Sequence, residues 1–251
     1  MIMPRLHYRF AALTLLCVAS GCSSVYQGQD AGREQHKSRN FEFFSEEHDL
    51  EEVRLDDYYG NSINIERPAD RERRGVRLSW GRESARGFFQ VFREDWTSPG
   101  VPRLNPPNTV FETFQVDLTG MGGGIHGVPT VGPISDEVEL VLPYRASFAL
   151  ASGTGNLGPV DAELNYFEFQ GDLALGVRLS GVTASAGIAV SALFGVANAD
   201  DEPLDDAEIT AYNTGIFTDL SFKHPNFPIY AHARIQTGEY EGLSVGVGVR
   251  F

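Results

Sequence analysis

The chain is predicted to be all-β: an antiparallel up-and-down barrel that crosses a membrane with eight strands, or with ten, behind a mostly irregular N-terminal tether. Three observations predict it. From Gly75 onward, apolar residues recur at every second position between clusters of Gly, Pro, Asn and Asp, and no helical stripe competes with them. The two clearest alternating runs are longer than the strands of water-soluble proteins. On their polar faces, small residues stand opposite large charged ones, as the inside of a narrow barrel requires.

Residues 1–21 carry Arg5 and Arg9, then the apolar run Phe10 to Val18, then the small residues Ala19, Ser20 and Gly21 ahead of Cys22. This is the order of an export signal. The apolar run is about half of the ~20 residues a spanning helix needs, so cleavage is expected rather than retention as a membrane helix. Cys17 would leave with the leader, so Cys22 would be the single cysteine of the processed chain and no intramolecular disulfide is expected. The chain has a formal net charge of -14, and loss of Arg5 and Arg9 makes the processed form two charges more negative. Nucleic acid is excluded as a natural partner. Residues 22–74 are polar and crowded with Glu46, Glu47, Asp49, Glu51, Glu52, Asp56 and Asp57. Too little apolar surface is present there for a core, so this stretch is read as a tether with a short strand at Ser62 to Ile65. The barrel is assigned to residues 75–251.

Within the barrel the most informative segments are Phe167 to Leu179 and Val182 to Ala197, joined by Ser180-Gly181. A tight primed turn there, with glycine supplying a positive backbone torsion, places Leu179 opposite Val182 and fixes every later pair. One face then pairs Val177 with Ala184, Leu175 with Ala186, Leu173 with Ile188, Gly171 with Val190, Phe169 with Ala192 and Phe167 with Phe194. All are apolar. The other face holds Glu168, Asp172 and Arg178 against Leu193, Ala189 and Thr183. These runs reach thirteen and sixteen residues, against ~5 to 6 in typical strands and ~9 to 11 needed to cross a bilayer at a tilt.

Other segments repeat the pattern. Val138 to Leu150 gives an apolar row opposed by Glu139, Arg145 and Ser147, with Pro143 predicting a bulge. Tyr212 to Phe222 alternates against Asn213, Gly215, Asp219 and Lys223, and Phe217 stands against the pattern. Ile229 to Ile235 alternates with Tyr230, His232, Arg234 and Gln236. Gly75 to Gly81, Gly87 to Glu94 and Phe114 to Thr119 are weaker strands. With the C-terminal run Leu243 to Phe251 these make nine, and an even number is required if both ends lie on one side. Merging the first two into one bent strand gives eight, narrowly preferred; adding Ser62 to Ile65 gives ten. Short turns at Ser180-Gly181 and His224 to Phe227 should alternate with long loops at Ser152 to Ala162 and Asn198 to Ala207.

Two short motifs carry a family resemblance. Ala19-Ser20-Gly21-Cys22 resembles the bacterial lipobox, with alanine where the pattern favours leucine. The resemblance implies that Cys22 is acylated, and Ser23 after it implies passage to the outer membrane. Leu243, Val245, Val247, Val249 and Phe251 alternate with Ser244, Gly246, Gly248 and Arg250. This is similar to the last strand of Gram-negative outer-membrane barrels, which implies recognition by the barrel-insertion machinery and an outer-membrane location. The implied partners are that machinery, outer-membrane lipids and an unspecified extracellular ligand.

Few motifs carry chemistry. Gly122-Gly123-Gly124-Ile125-His126-Gly127 has the glycine spacing of a dinucleotide site, but Val128-Pro129 and Gly132-Pro133 forbid the helix that such a site needs. A glycine turn or close strand packing is expected instead. Asp200, Asp201, Glu202, Asp205, Asp206 and Glu208 lack the spacing of a calcium loop and read as a solvated outer loop. Facing a barrel interior, Glu139, Arg145, Glu168, Asp172, Arg178, Asp219 and Arg234, with Arg250 and His232 beside them, must pair, because an isolated ion away from water is costly. A structural ion network is expected. No catalytic motif, cofactor or metal site is expected. The sequence thus points to a non-enzymatic outer-membrane barrel with a structural or surface-interaction role. Its alternatives are a small-solute pore, a periplasmic lipoprotein with a soluble β-sandwich or lipocalin-like pocket, and a lipid-A-modifying hydrolase.

Overall fold

The computed structural model describes residues 38–50, 53–56, 62–65, 69–101, 112–157, 160–199, 207–224 and 226–251. The leader, Cys22 and most of the acidic segment 200–208 lie outside them. Fourteen strands run through the described residues: β1 (Ser38–Leu50), β2 (Val53–Asp56), β3 (Ser62–Ile65), β4 (Ala69–Arg82), β5 (Ala85–Val101), β6 (Glu112–Gly127), β7 (Thr130–Pro133), β8 (Val138–Val141), β9 (Tyr144–Leu157), β10 (Val160–Leu179), β11 (Val182–Ala199), β12 (Ala207–Lys223), β13 (Ile229–Gly238) and β14 (Tyr240–Arg250).

Ten of these strands form a closed antiparallel ring. The order is β1, β4, β5, β6, β9, β10, β11, β12, β13, β14, and β14 returns to β1 with Phe41 opposite Val249 and Ser45 opposite Val245. Closure pairs the backbone of every ring strand on both sides, the condition a sheet must meet in hydrocarbon. Ten replaces the preferred eight. The extra strand is β1, inside the stretch assigned to the tether, so the barrel begins at Ser38 rather than Gly75. Its outward row passes from Phe41 and Phe43 to Glu47 and Asp49, so both faces look polar and the alternation is masked in the sequence. Gly75 to Gly81 and Gly87 to Glu94 belong to two separate strands, β4 and β5. Ser62 to Ile65 is a strand, as expected, but among the described residues it pairs only with β2. β2 in turn docks on the edge of β12, Leu55 opposite Ile209, beyond the point where β13 stops pairing at Gly215 and Gly238. It caps an edge that the short β13–β14 hairpin leaves open.

The β10–β11 hairpin has the predicted register throughout, from Leu179 opposite Val182 to Phe167 opposite Phe194. Ser180 and Gly181 have φ of 45° and 91°, the positive torsions a primed turn needs. Leu142-Pro143 splits the Val138 to Leu150 row into β8 and β9, both paired with β10, because proline cannot donate to the ladder. The expected long loop at 152–162 is instead strand up to Leu157 and again from Val160. Gly122-Gly123-Gly124 lies within β6 and not in a turn. Across from β6, Gly153 and Gly155 lie so close to the neighbouring backbone that a Cβ would fall 1.9 Å from the carbonyl oxygens of Asp117 and Gln115 respectively. Only glycine fits that approach.

Polarity is inverted relative to a water-soluble protein. Leu175 and Ile188 are 57% and 60% exposed on the outer face, while Glu94 and Arg71 inside are 0% and 2% exposed. No second layer of chain covers the outer row among the described residues. Because the sheet closes on itself with this row on its outside, the fold is a transmembrane β-barrel and not a β-sandwich. Towards the loop end the outer face turns charged at Arg74, Arg93 and Asp117, which marks the limit of the apolar band on β4 to β6. Phe217, against the pattern in sequence, points inward, where it packs with Ala174 and Ala189 under the Arg234 guanidinium, 4.0 Å from the ring centroid. It fills the space that small neighbours such as Gly187 leave.

Candidate functional site

Period-two geometry lines the inward residues of each strand along the lumen. Arg71, Arg73 and Arg77 of β4 form one row, flanked by Glu42, Glu46 and His48 of β1 and by Gln90, Glu94 and Trp96 of β5. Towards the loop end, two arginines and two glutamates form a fully buried quartet. Arg71 Nε and Arg73 Nε each donate to Glu94 at 2.5 Å. Arg71 Nη2 and Arg73 Nη2 each donate to Glu168 Oε2 at 2.7 Å. The Tyr166 hydroxyl donates to Glu94 at 2.7 Å and accepts from both arginines, and the Trp96 indole N–H also donates to Glu94. An apolar cluster that includes Val116, Leu118, Leu164, Leu193 and Ile209 lies in the same end of the lumen and keeps the wall dry.

Further towards the short turns the network continues. Arg77 donates to Glu42 at 2.8 Å and to Gln90, and its Nη2 lies 3.3 Å from Glu46. His232 Nε2 is 3.3 Å from Glu42. Arg234 bridges Asp172 at 2.5 Å and Asp219 at 3.5 Å. At the mouth, Glu83 in the β4–β5 turn meets Lys223 of β12 and Arg178 of β10, the latter at 3.0 Å, while Arg178 also reaches Glu139 at 3.3 Å. Burial by itself would raise the Glu83 carboxyl, and Lys223 and Arg178 more than reverse this, holding it below the ordinary glutamate range.

The structure thus brings Asp172, Asp219 and Arg234 together and joins Arg178 to Glu139. Glu168 sits in the quartet with Arg71 and Arg73, and Arg145 is adjacent in the ladder to Asp172. Arg250, also placed inside on sequence grounds, is exposed at the end of β14. Val245, Val247, Val249 and Phe251 all face outward, 41% to 66% exposed. Sequence reasoning missed the densest part: Glu42, Glu46, Arg71, Arg73, Arg77 and Glu94. The signal was present as arginines two and four apart in Arg71, Arg73 and Arg77, facing Glu42 and Glu46, four apart in β1, and Glu94 in β5.

Among the described residues, charge inside is balanced. Arg71, Arg73, Arg77, Arg86, Arg145, Arg178, Arg234 and Lys223 are matched in number by Glu42, Glu46, Glu83, Glu94, Glu139, Glu168, Asp172 and Asp219. The net negative charge of the chain therefore lies outside this network.

A closed ring with apolar residues outside and paired charges inside defines a transmembrane β-barrel of the outer-membrane type. Neither a protein-family model nor a curated protein sequence matches the chain. Among solved structures it is similar to the translocator domain of the autotransporter NalP from Neisseria meningitidis, at 13% identity and a TM-score of 0.46, over 98% of this chain and 95% of that one. The transport unit of the autotransporter AIDA-I from Escherichia coli matches at 12% identity and a TM-score of 0.38, covering 96% of each chain. Neisserial surface protein A matches at 15% identity and a TM-score of 0.33, over 84% of this chain and 97% of that one. These likenesses are of overall architecture, and the assignment rests on the ladder and the burial pattern described above.

Proposed function

We propose that the protein is an outer-membrane barrel, exported by the leader of residues 1–21 and lipid-tethered at Cys22, with a structural or surface-interaction role and neither catalysis nor solute conduction. What supports this most is the interior of the ring: a hydrogen-bonded ion network that engages most of the inward charges, packed beside an apolar cluster of buried side chains. Outer-membrane lipids would surround the apolar band, and the β14 row ending at Phe251 would serve the insertion machinery.

Purified full-length protein in planar bilayers tests the non-conducting reading. No stepwise current is expected from the wild type, and regular steps of defined size would identify a solute pore instead. Palmitate labelling that is abolished by Cys22→Ser is expected for the tether; equal labelling of both forms removes it. Overexpression should leave the lipid A profile unchanged, whereas a modified lipid A would reinstate the hydrolase.

A further inference from the structure

The lumen is neutral as a whole but unevenly paired. One residue in from the short-turn end, the ladder places Arg86 of β5 opposite His126 of β6, and His126 opposite Arg145 of β9. These three inward groups are consecutive across the wall. Each has a side-chain nitrogen that is sealed from solvent and has no hydrogen-bond partner among the described residues: Arg86 Nε, His126 Nε2 and Arg145 Nε. Arg86 donates to the Ser38 hydroxyl at 2.9 Å and, with the Asn40 amide turned to accept, to the Asn40 side-chain oxygen at 2.5 Å; it has no ion pair among those residues, and its Nε is still without an acceptor. Arg145 comes no nearer to a carboxylate than 3.9 Å, at Glu46, which Arg77 already occupies at 3.3 Å.

Two of the three, His126 and Arg145, share one ring with Arg77. Phe88 stands edge-on to His126 with centroids 5.6 Å apart, and the guanidinium carbons of Arg77 and Arg145 lie 5.2 and 5.5 Å from the Phe88 centroid. Ring contacts hold the donors in place without using their N–H groups. Two guanidiniums and an imidazole, all short of acceptors and away from bulk water, make an arrangement that costs free energy unless negative charge joins it.

We propose that Arg86, His126 and Arg145 bind one small inorganic anion inside the lumen, adjacent to the short-turn end. The anion accepts from Arg86 Nε, His126 Nε2 and Arg145 Nε, which find no acceptor among the described residues. This goes beyond the structural reading of the barrel and does not depend on the lipid tether. The competing arrangement is a neutral water between Arg145 Nε and the Asp172 Oδ1, which is likewise buried without a partner.

Bromide is the probe, because its anomalous scattering distinguishes it from water. Crystals of the full chain grown or soaked in bromide should show an anomalous peak within hydrogen-bond reach of His126 and Arg145. An ordered lumen with no peak there, or with density of a water only between Arg145 and Asp172, overturns the proposal. In detergent, replacing gluconate with bromide at constant ionic strength should raise the thermal unfolding midpoint of the wild type saturably. Arg145→Gln should weaken the apparent affinity roughly tenfold or more, the loss expected for a charge-assisted hydrogen bond. Arg93→Gln, which removes an equal charge from the outer face, should keep the full response. An identical response in Arg145→Gln would also overturn the site.

Discussion

At the scale of single residues, the interior is governed by the cost of leaving a charge without its partner. Glu94 is 0% exposed and holds both Arg71 and Arg73. Glu94→Gln is expected to lower the unfolding free energy in urea by about 3–5 kcal/mol, because two buried guanidiniums lose one of the two carboxylates they share. Glu72→Gln, at the exposed pair with Arg74, should cost less than about 1 kcal/mol. Glu83 gives a pH signature. Its carboxyl is depressed in the folded state, so its contribution is fully present above the ordinary glutamate range and is lost as pH falls through the lower folded value. The stability difference between wild type and Glu83→Gln should accordingly be constant near neutrality and shrink only in acid. These partnerships were only partly legible in the sequence. Alternation says that Asp172 and Arg234 both face inward, but which inward charges meet depends on the stagger of strands far apart in the chain, and only the closed ring supplies it.

At the scale of elements, legibility followed turn chemistry and face contrast. β10 and β11 were readable to the residue because a two-residue turn fixes the register and one face is wholly apolar. β1 was not, since Ser45, Glu47 and Asp49 continue its outward row beyond the apolar band. Pro143 was readable as a ladder break, whereas the length of β9 was not: Gly153 and Gly155 look like loop residues and are in fact strand positions where the β6 backbone leaves no room for a Cβ. Gly155→Val should cost roughly 1–3 kcal/mol through displaced backbone, and the heat-modifiable gel shift of unboiled protein should vanish at a lower temperature. On the lipid-facing row, Leu175→Arg should cost about 2–4 kcal/mol if the site is near the bilayer midplane. The change is readable by urea unfolding in lipid vesicles.

At the scale of the whole molecule, the account depends on an inversion: hydrocarbon outside, ions within. Ten strands leave a wider lumen than eight, and this sequence fills it with arginine–glutamate pairs, Trp96, Tyr166 and Phe217 rather than with water alone. The sequence conveyed the inversion through small residues facing large charged ones, but not the strand number, which required β1. The most direct measurement is oxygen against nickel-chelate accessibility of spin labels placed one at a time at Leu173, Ala174, Leu175, Ile188 and Ala189 in lipid vesicles. Labels at Leu173, Leu175 and Ile188 should be open to oxygen and closed to the chelate, with Ala174 and Ala189 shielded from oxygen. Chelate access along the Leu173, Leu175 and Ile188 row, or its protection from both reagents, would contradict the account.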